Sequence, residues 1–314
     1  MTAAETGVEE VPSGLAEVKA RGPWRQALDR FRRRPLGMAA LTVFLVFFVV
    51  GALATVLAPY YPGQEFIELI DKPKPPLASH HFLGTDVLGH DFLTQILFAI
   101  HETTISALVC AGGATLIGVA VGATAGYFGG WFDTLVTAVT AVVVAIPAIA
   151  VLIVVSVWAR VPESPLSFGL WLMALLWTVV ARVVRSSVAS LRTKEFVEAA
   201  EAAGASAPRI LTRHVLPNSL GVVMVAATSI VGQSIAIVAT VDYLGYGYNR
   251  PDRPTLGGLL ADATKSSDLL RAGNGPLSSL WWLYVLPAVL LVGLLLSVNF
   301  LGDALDDALN PSAG

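Results

Sequence analysis

Between Glu195 and Asn218 the chain reads EFVEAAEAAGASAPRILTRHVLPN, the stretch whose residue types and spacing carry the most information. Alanines at 199, 200, 202 and 203 make a slim helix, and Glu198 and Glu201, three residues apart, share one of its faces. Gly204 stops that helix, a second helical stretch follows, and Leu216-Pro217 opens the next apolar run. No nucleophile or acid–base pair is assembled here. A helix of this kind can enter a groove on a partner, which is mechanical rather than covalent work. Taken alone, the same residues equally suit an ordinary Ala-rich loop helix.

Other candidate positions are sparse. Ser229, Gln233 and Ser234 place hydroxyls and an amide in an apolar run, where they either line a polar path or bond between helices. His80, His81, Asp86 and His90 cluster in one loop, but their spacing matches no standard metal site, and Asp86 reads as a turn cap. No Lys follows a Gly, so the chain lacks a phosphate loop, and HExxH and CxxC are absent. Gly245 and Gly247 begin a GxG that no third glycine completes. Cys110 is the only cysteine and reads as a structural thiol.

The elements that must position these residues are membrane helices. The chain has 314 residues, 55% of them hydrophobic and only 14% charged, with a mean hydropathy of +0.69. Soluble domains carry about 25% charged residues, and disorder needs low hydrophobicity with high charge. The formal net charge of −3 gives no global basicity for nucleic acid. Crossing a bilayer takes about 20 apolar residues of helix. Six runs qualify: 36–58, 105–127, 134–158, 168–184, 219–241 and 280–301. The fourth is the shortest, with room to start earlier. The first is longer than a secretory h-region and reads as an uncleaved anchor.

The 20 Lys and Arg residues split thirteen to seven between alternate sides: seven in 1–35 and six in 182–218, against two in 60–104, one in 158–167 and four in 242–279. That bias predicts cytoplasmic N and C termini. The domain plan is a basic N-terminal segment over 1–35, a transmembrane unit over 36–301 and a tail over 302–314. Loops 60–104 and 242–279 lie outside, and loop 185–218 lies inside. Trp24, Leu28 and Phe31, surrounded by arginines, predict an interfacial helix with its apolar face among lipid headgroups. Phe92, Ile96, Ala99 and Ile100 predict a helix lying along the outer surface, and a short helix is expected near 256–264. Ala114, Gly118, Gly122 and Gly126 form a small-residue face for close helix packing. Pro147 and Pro287 are expected to kink the third and sixth spans. Arg182, Asp133 and Asp242 sit near run ends, where snorkelling serves them.

The 195–218 stretch resembles the EAA loop of ABC importer permeases: EAA, three residues, Gly, then a Leu-Pro ending, with His214 at the usual hydrophobic position. Five further segments resemble the dipeptide/oligopeptide/nickel branch, in order along the chain. They are LGTDVLGHD (83–91), GYFGGWFD (126–133), ARVVRSSVASLRTKEFVEAA (181–200), YLGYG (243–247) and NFLGDALDDALNP (299–311). The likeness covers roughly residues 30–311 and is to the C-type subunit of a permease pair. His90 stands where the pattern has Arg, Asp306 where it has Arg, Asn310 where it has Asp, and Thr140 where an Asp is usual.

The resemblance implies an all-α, six-span permease with the type I ABC importer fold, in the bacterial inner membrane. Glu198, Ala199, Ala200, Glu201 and Gly204 would form the coupling helix, with Leu216 and Pro217 as its return. It implies no cofactor on this chain, with ATP and Mg on partner ATPases. The implied partners are a second permease, two ABC ATPases or one fused pair, an external substrate-binding protein and membrane lipid. The implied cargo is di- or oligopeptides. Nickel or another small polar solute is the alternative within the branch. A self-sufficient secondary transporter would need a two-fold repeat and a midplane ion site, and a membrane enzyme would need a cluster of His, Asp or Glu at one depth; neither pattern is visible.

Overall fold

The computed structural model describes residues 23–70, 73–78, 80–159, 163–272 and 280–309. The first 22 residues of the basic segment, residues 273–279 of the second outer loop, and the tail from Asn310 onward fall outside it, as does the Trp24 side chain. The described chain is helical, and its extended pairings are isolated bridges in the outer loops.

Five helical runs are long and apolar enough to cross a membrane: α2 (Pro35–Ala52), α4 (Phe92–Phe128), α7 (Pro165–Arg192), the run Ala207–Tyr243 and α12 (Trp281–Leu309). The expected third span, 134–158, is a broken pair, α5 (Gly130–Ala145) and α6 (Ala148–Ala159), bent by 77°. The break is chemical. Pro147 excludes helical geometry at the residue before it, and Ile146 is extended at φ −89°, ψ 125°. Pro287 behaves differently: α12 continues unbroken through it.

Short elements complete the chain: α1 (Pro23–Arg32) before α2, α3 (Ala54–Leu57) after it, α8 (Glu195–Ala202) and α9 (Ala207–Ile210) after α7, and α11 (Leu256–Ala272) between α10 (Leu216–Tyr243) and α12. The fourth span, read as the shortest, is 28 residues long and starts at Pro165, behind a Ser164–Ser167 capping box. The helix expected near 256–264 runs on to Ala272.

The predicted surface helix over 91–104 is a correction. It is the first part of α4, a single 37-residue helix. Phe92, Ile96, Ala99 and Ile100 are buried against Leu256, Leu259 and Leu283 instead of lying along a surface. Asp91 starts the helix by accepting hydrogen bonds from the Thr94 N–H (2.8 Å) and hydroxyl (2.9 Å). Its other carboxylate oxygen pairs with His81 Nδ1 at 2.8 Å, inside a ring cage from Tyr60 and Phe66.

The small-residue face of α4 packs closely on α7. A Cβ on Gly118 would lie 2.5 Å from the Val180 Cβ, and one on Gly126 would lie 2.5 Å from the Arg185 carbonyl oxygen. One on Gly122 would meet the Ala181 carbonyl oxygen. Three glycines one turn apart therefore let α4 lie backbone-to-backbone on α7, where the lipid supplies no hydrophobic drive.

The N-terminal helix α1 exists, but only part of its apolar face is free: Leu28 is exposed and Phe31 is covered. Phe31 is buried against Ala304 and Ala308 at the end of α12. Arg30 donates to the Ala308 carbonyl at 2.9 Å, and Arg34 pairs with Asp307. Leu309 packs beside Gly221 near the start of α10. Both described ends of the chain thus meet at the end of the bundle from which α10 departs.

Candidate functional site

Two features converge at that end. The first is the loop after α7. Only Lys194 and the Thr193 cap separate α7 from α8. Val197 is 1% exposed and packs with Ile210, Leu211 and Val215, and Ala200 rests half-buried against the same cluster. These two residues, three apart, seat α8 on the bundle. Glu198, Ala199 and Glu201 point outward into solvent.

Gly204 closes the helix in a Schellman motif. Its N–H donates to the Glu201 carbonyl at 2.9 Å, and the Ala205 N–H reaches back to the Ala200 carbonyl at 3.0 Å. That geometry needs the left-handed backbone that Gly204 adopts, φ +79°. Nothing lies within 4 Å of where its Cβ would be. The constraint is conformational, and the surface beyond is open.

The return differs from a simple proline-opened helix. The run Ala207–Tyr243 contains a π-turn over Leu211–Val215, in which the Leu216 N–H bonds the Leu211 carbonyl, five residues back. The widened turn sits directly before Pro217, which has no N–H of its own to bond the preceding turn. The Asn218 side chain donates to the His214 carbonyl at 2.7 Å. Leu216 is half-buried against the core and Pro217 is exposed in the first turn of α10.

Asp133 and Arg185 form a pair that sequence reasoning assigned only to the ends of apolar runs. They join the first turn of α5 to α7, with Arg185 Nη2 to Asp133 Oδ2 at 2.7 Å. Gly129 and Gly130, both at positive φ, make the turn that brings α5 back to this position. Arg192 lies 5.9 Å from the Tyr127 ring centroid. The ends of α4 and α5 are thereby tied to the stretch of α7 that leads into α8. Asp242 does not snorkel either: it is buried and accepts from the Tyr248 N–H at 3.0 Å.

The second feature is a cleft of about 750 Å³ between α5, α7 and α10, lined by Val144, Val179, Arg182, Ser186, Ser190 and Val222. It adjoins a smaller cleft of about 320 Å³ that shares Val179, Val183 and Val222 and reaches Ser229 and Asp306. Of the three residues expected to line a polar path, Ser229 lines this cleft and Gln233, one turn on, is exposed on α10. Ser234 is a correction. It is 0% exposed and donates to the Ile230 carbonyl at 2.7 Å, because adjacent helical residues point 100° apart and only 229 and 233 share a face.

In loop 60–104, Asp86 caps its turn, accepting from the Leu88 and His90 N–H groups, and pairs with His90 Nδ1 at 2.8 Å. Burial opposes a charge on His90, but the bond to Asp86 and the charges of Asp86, Glu65 and Asp262 outweigh it and raise its pKa. That contribution to stability is complete below the unfolded-state histidine pKa and is lost as pH rises through the raised one. Among the described residues no group of three His, Cys, Asp or Glu side chains is placed to hold a metal. Cys110 is free and buried.

The family described as "binding-protein-dependent transport system inner membrane component" matches residues 118–313, a range that includes the whole of the loop after α7 and both clefts. The chain belongs to this family. It is a multi-pass permease subunit of the bacterial inner membrane, not an enzyme. Residues 22–76 of the permease also match the N-terminal TM domain of oligopeptide transport permease C. The oligopeptide transport system permease protein OppC of Mycobacterium bovis is 33% identical over 90% of this chain and 93% of its own length. The dipeptide transport system permease protein DppC of Alkalihalophilus pseudofirmus is 30% identical over 93% and 91%. The glutathione transport system permease protein GsiD of Pectobacterium atrosepticum is 28% identical over 95% and 94%.

Proposed function

We propose that this permease is the C-type half of an ATP-driven importer for di- or oligopeptides, and that α8 is its coupling helix. The observation that carries the reading is the outward face of Glu198, Ala199 and Glu201 on a helix seated by Val197 and Ala200. Such a face, on a slim helix joined by two residues to α7, transmits a push on α8 directly to a wall of the cleft. The peptide cargo rests on the similarity to OppC and DppC.

In this reading the EAA loop and both termini face the cytoplasm, as the Lys and Arg bias requires. ATP and Mg stay on two ABC ATPases, or one fused pair, since the sequence carries no phosphate loop. A second permease closes the cleft from the other side, and an external binding protein delivers the peptide to outer loops 60–104 and 242–279. Closure of the ATPases draws two coupling helices together, and the spans rock between outward-open and inward-open states.

Affinity purification of the tagged permease in mild detergent from its native host tests the assembly. Two ATPases and a second permease are expected to co-purify with ATP hydrolysis. A permease that purifies alone across several detergents contradicts the proposal.

A further inference from the structure

Arg182 is an exposed cation on α7, two residues before the end of the apolar run 168–184. The helix continues past it for ten residues, through a stretch rich in serine. Arg182 lines the larger cleft together with Ser186, Ser187 and Ser190, which follow it along α7. Its neighbour Arg185, one turn on, points elsewhere and is held by Asp133. The place of Arg182 in the cleft lining puts a fixed positive charge on a surface that a polar solute can reach. Asp306 is the one carboxylate that lines either cleft, and it lies in the adjoining one.

We infer that Arg182, with the hydroxyls of Ser186, Ser187 and Ser190, is a carboxylate-binding station on the translocation path, used by the C-terminal carboxylate of the transported peptide. A guanidinium presents paired N–H donors to a carboxylate, and the interaction is stronger where water is partly excluded. The three hydroxyls offer further donors along the direction of movement, so the carboxylate can be handed along α7. Several weak stations favour passage over one tight site, because a solute bound too firmly would not leave. This inference rests on the peptide-import reading above.

The test uses the complete importer in proteoliposomes with its binding protein and ATP. Uptake of tri-alanine is compared with that of its C-terminal amide, each at a concentration saturating the binding protein. The wild type is expected to move the acid faster than the amide. Arg182→Gln should lower acid uptake about tenfold, the low end for loss of a charge-assisted hydrogen bond, and leave amide uptake unchanged, so that the ratio approaches one. Arg182→Lys should recover part of the preference, and Asp306→Asn should keep it. Binding-protein-stimulated ATP hydrolysis reports whether each variant is assembled. An acid-to-amide ratio unchanged by Arg182→Gln in an assembled importer overturns the inference, as does an equal fall in both substrates. A wild-type importer that hydrolyses ATP but moves neither peptide counts against the peptide reading itself.

Discussion

Gly204→Asp is expected to cut ATP-driven uptake at least tenfold while the permease still folds and inserts. Gly204 sits at φ +79° in the Schellman turn that ends α8. A residue with a side chain pays about 1–2 kcal/mol for left-handed geometry, a local cost that a large bundle absorbs. The larger effect is at the interface. Nothing lies within 4 Å of the Gly204 Cβ position, so a carboxylate there would project into open space at the end of α8. Gly204→Ala separates the two contributions: it carries the conformational cost with only a methyl group, and uptake should fall no more than a fewfold. Glu198→Arg reverses a charge on the outward face without touching the turn, and should match Gly204→Asp in uptake. The measurements are peptide uptake and ATP hydrolysis by the reconstituted importer, beside the melting temperature of the permease. Wild-type uptake by both Gly204→Asp and Glu198→Arg would remove α8 from the coupling mechanism.

Gly122→Val is expected to damage the fold severely. The new Cβ would meet the Ala181 carbonyl oxygen and lie 3.0 Å from the Ala181 Cα. Both are backbone atoms of α7, so no side chain can rotate out of the way. Overpacking a close contact costs about 1–3 kcal/mol, and separating α4 from α7 would also loosen the neighbouring contacts at Gly118 and Gly126. A loss of about 3 kcal/mol is expected, read as a shift in the unfolding midpoint in a mixed sodium dodecyl sulfate and maltoside titration. Gly112→Val in the same helix is the control, since nothing lies within 4 Å of its Cβ position. It should stay within about 0.5 kcal/mol of wild type.

The parts of this architecture legible in the sequence are those set by local chemistry. Unbroken apolar runs gave the spans, Pro147 gave the break between α5 and α6, and the Ala-rich stretch ending in Gly204 gave α8 and its stop. The beginning of α4 was obscured because Gln95, Glu102, Thr103 and Ser106 interrupt its apolar pattern. These residues are nevertheless buried in protein; Ser106, for instance, shares a hydrogen bond with the Tyr248 hydroxyl at 2.7 Å. Polar residues that bury themselves against other loops look, in one dimension, like a surface. Phe31 was misread for the same reason, since its cover comes from α12, at the far end of the chain. The Asp133–Arg185 pair and the cleft are likewise long-range. In the sequence, the one signal for the pair was two opposite charges at the edges of apolar runs. Ser234 could have been set aside earlier, because 229 and 233 fall on one helical face and 234 does not.

The central claim, that α8 seats on an ATPase and moves with its cycle, is open to direct measurement by cross-linking. Cys110 is the only cysteine and is buried, so an introduced thiol can be addressed alone. Ala199→Cys, on the outward face of α8, should cross-link to the ATPase subunit in the assembled importer, with a yield that changes between the ATP-bound and nucleotide-free states. Thr240→Cys, exposed near the opposite end of α10, should give no such product. Absence of an ATPase cross-link from Ala199→Cys, in an importer that still transports, would contradict the account.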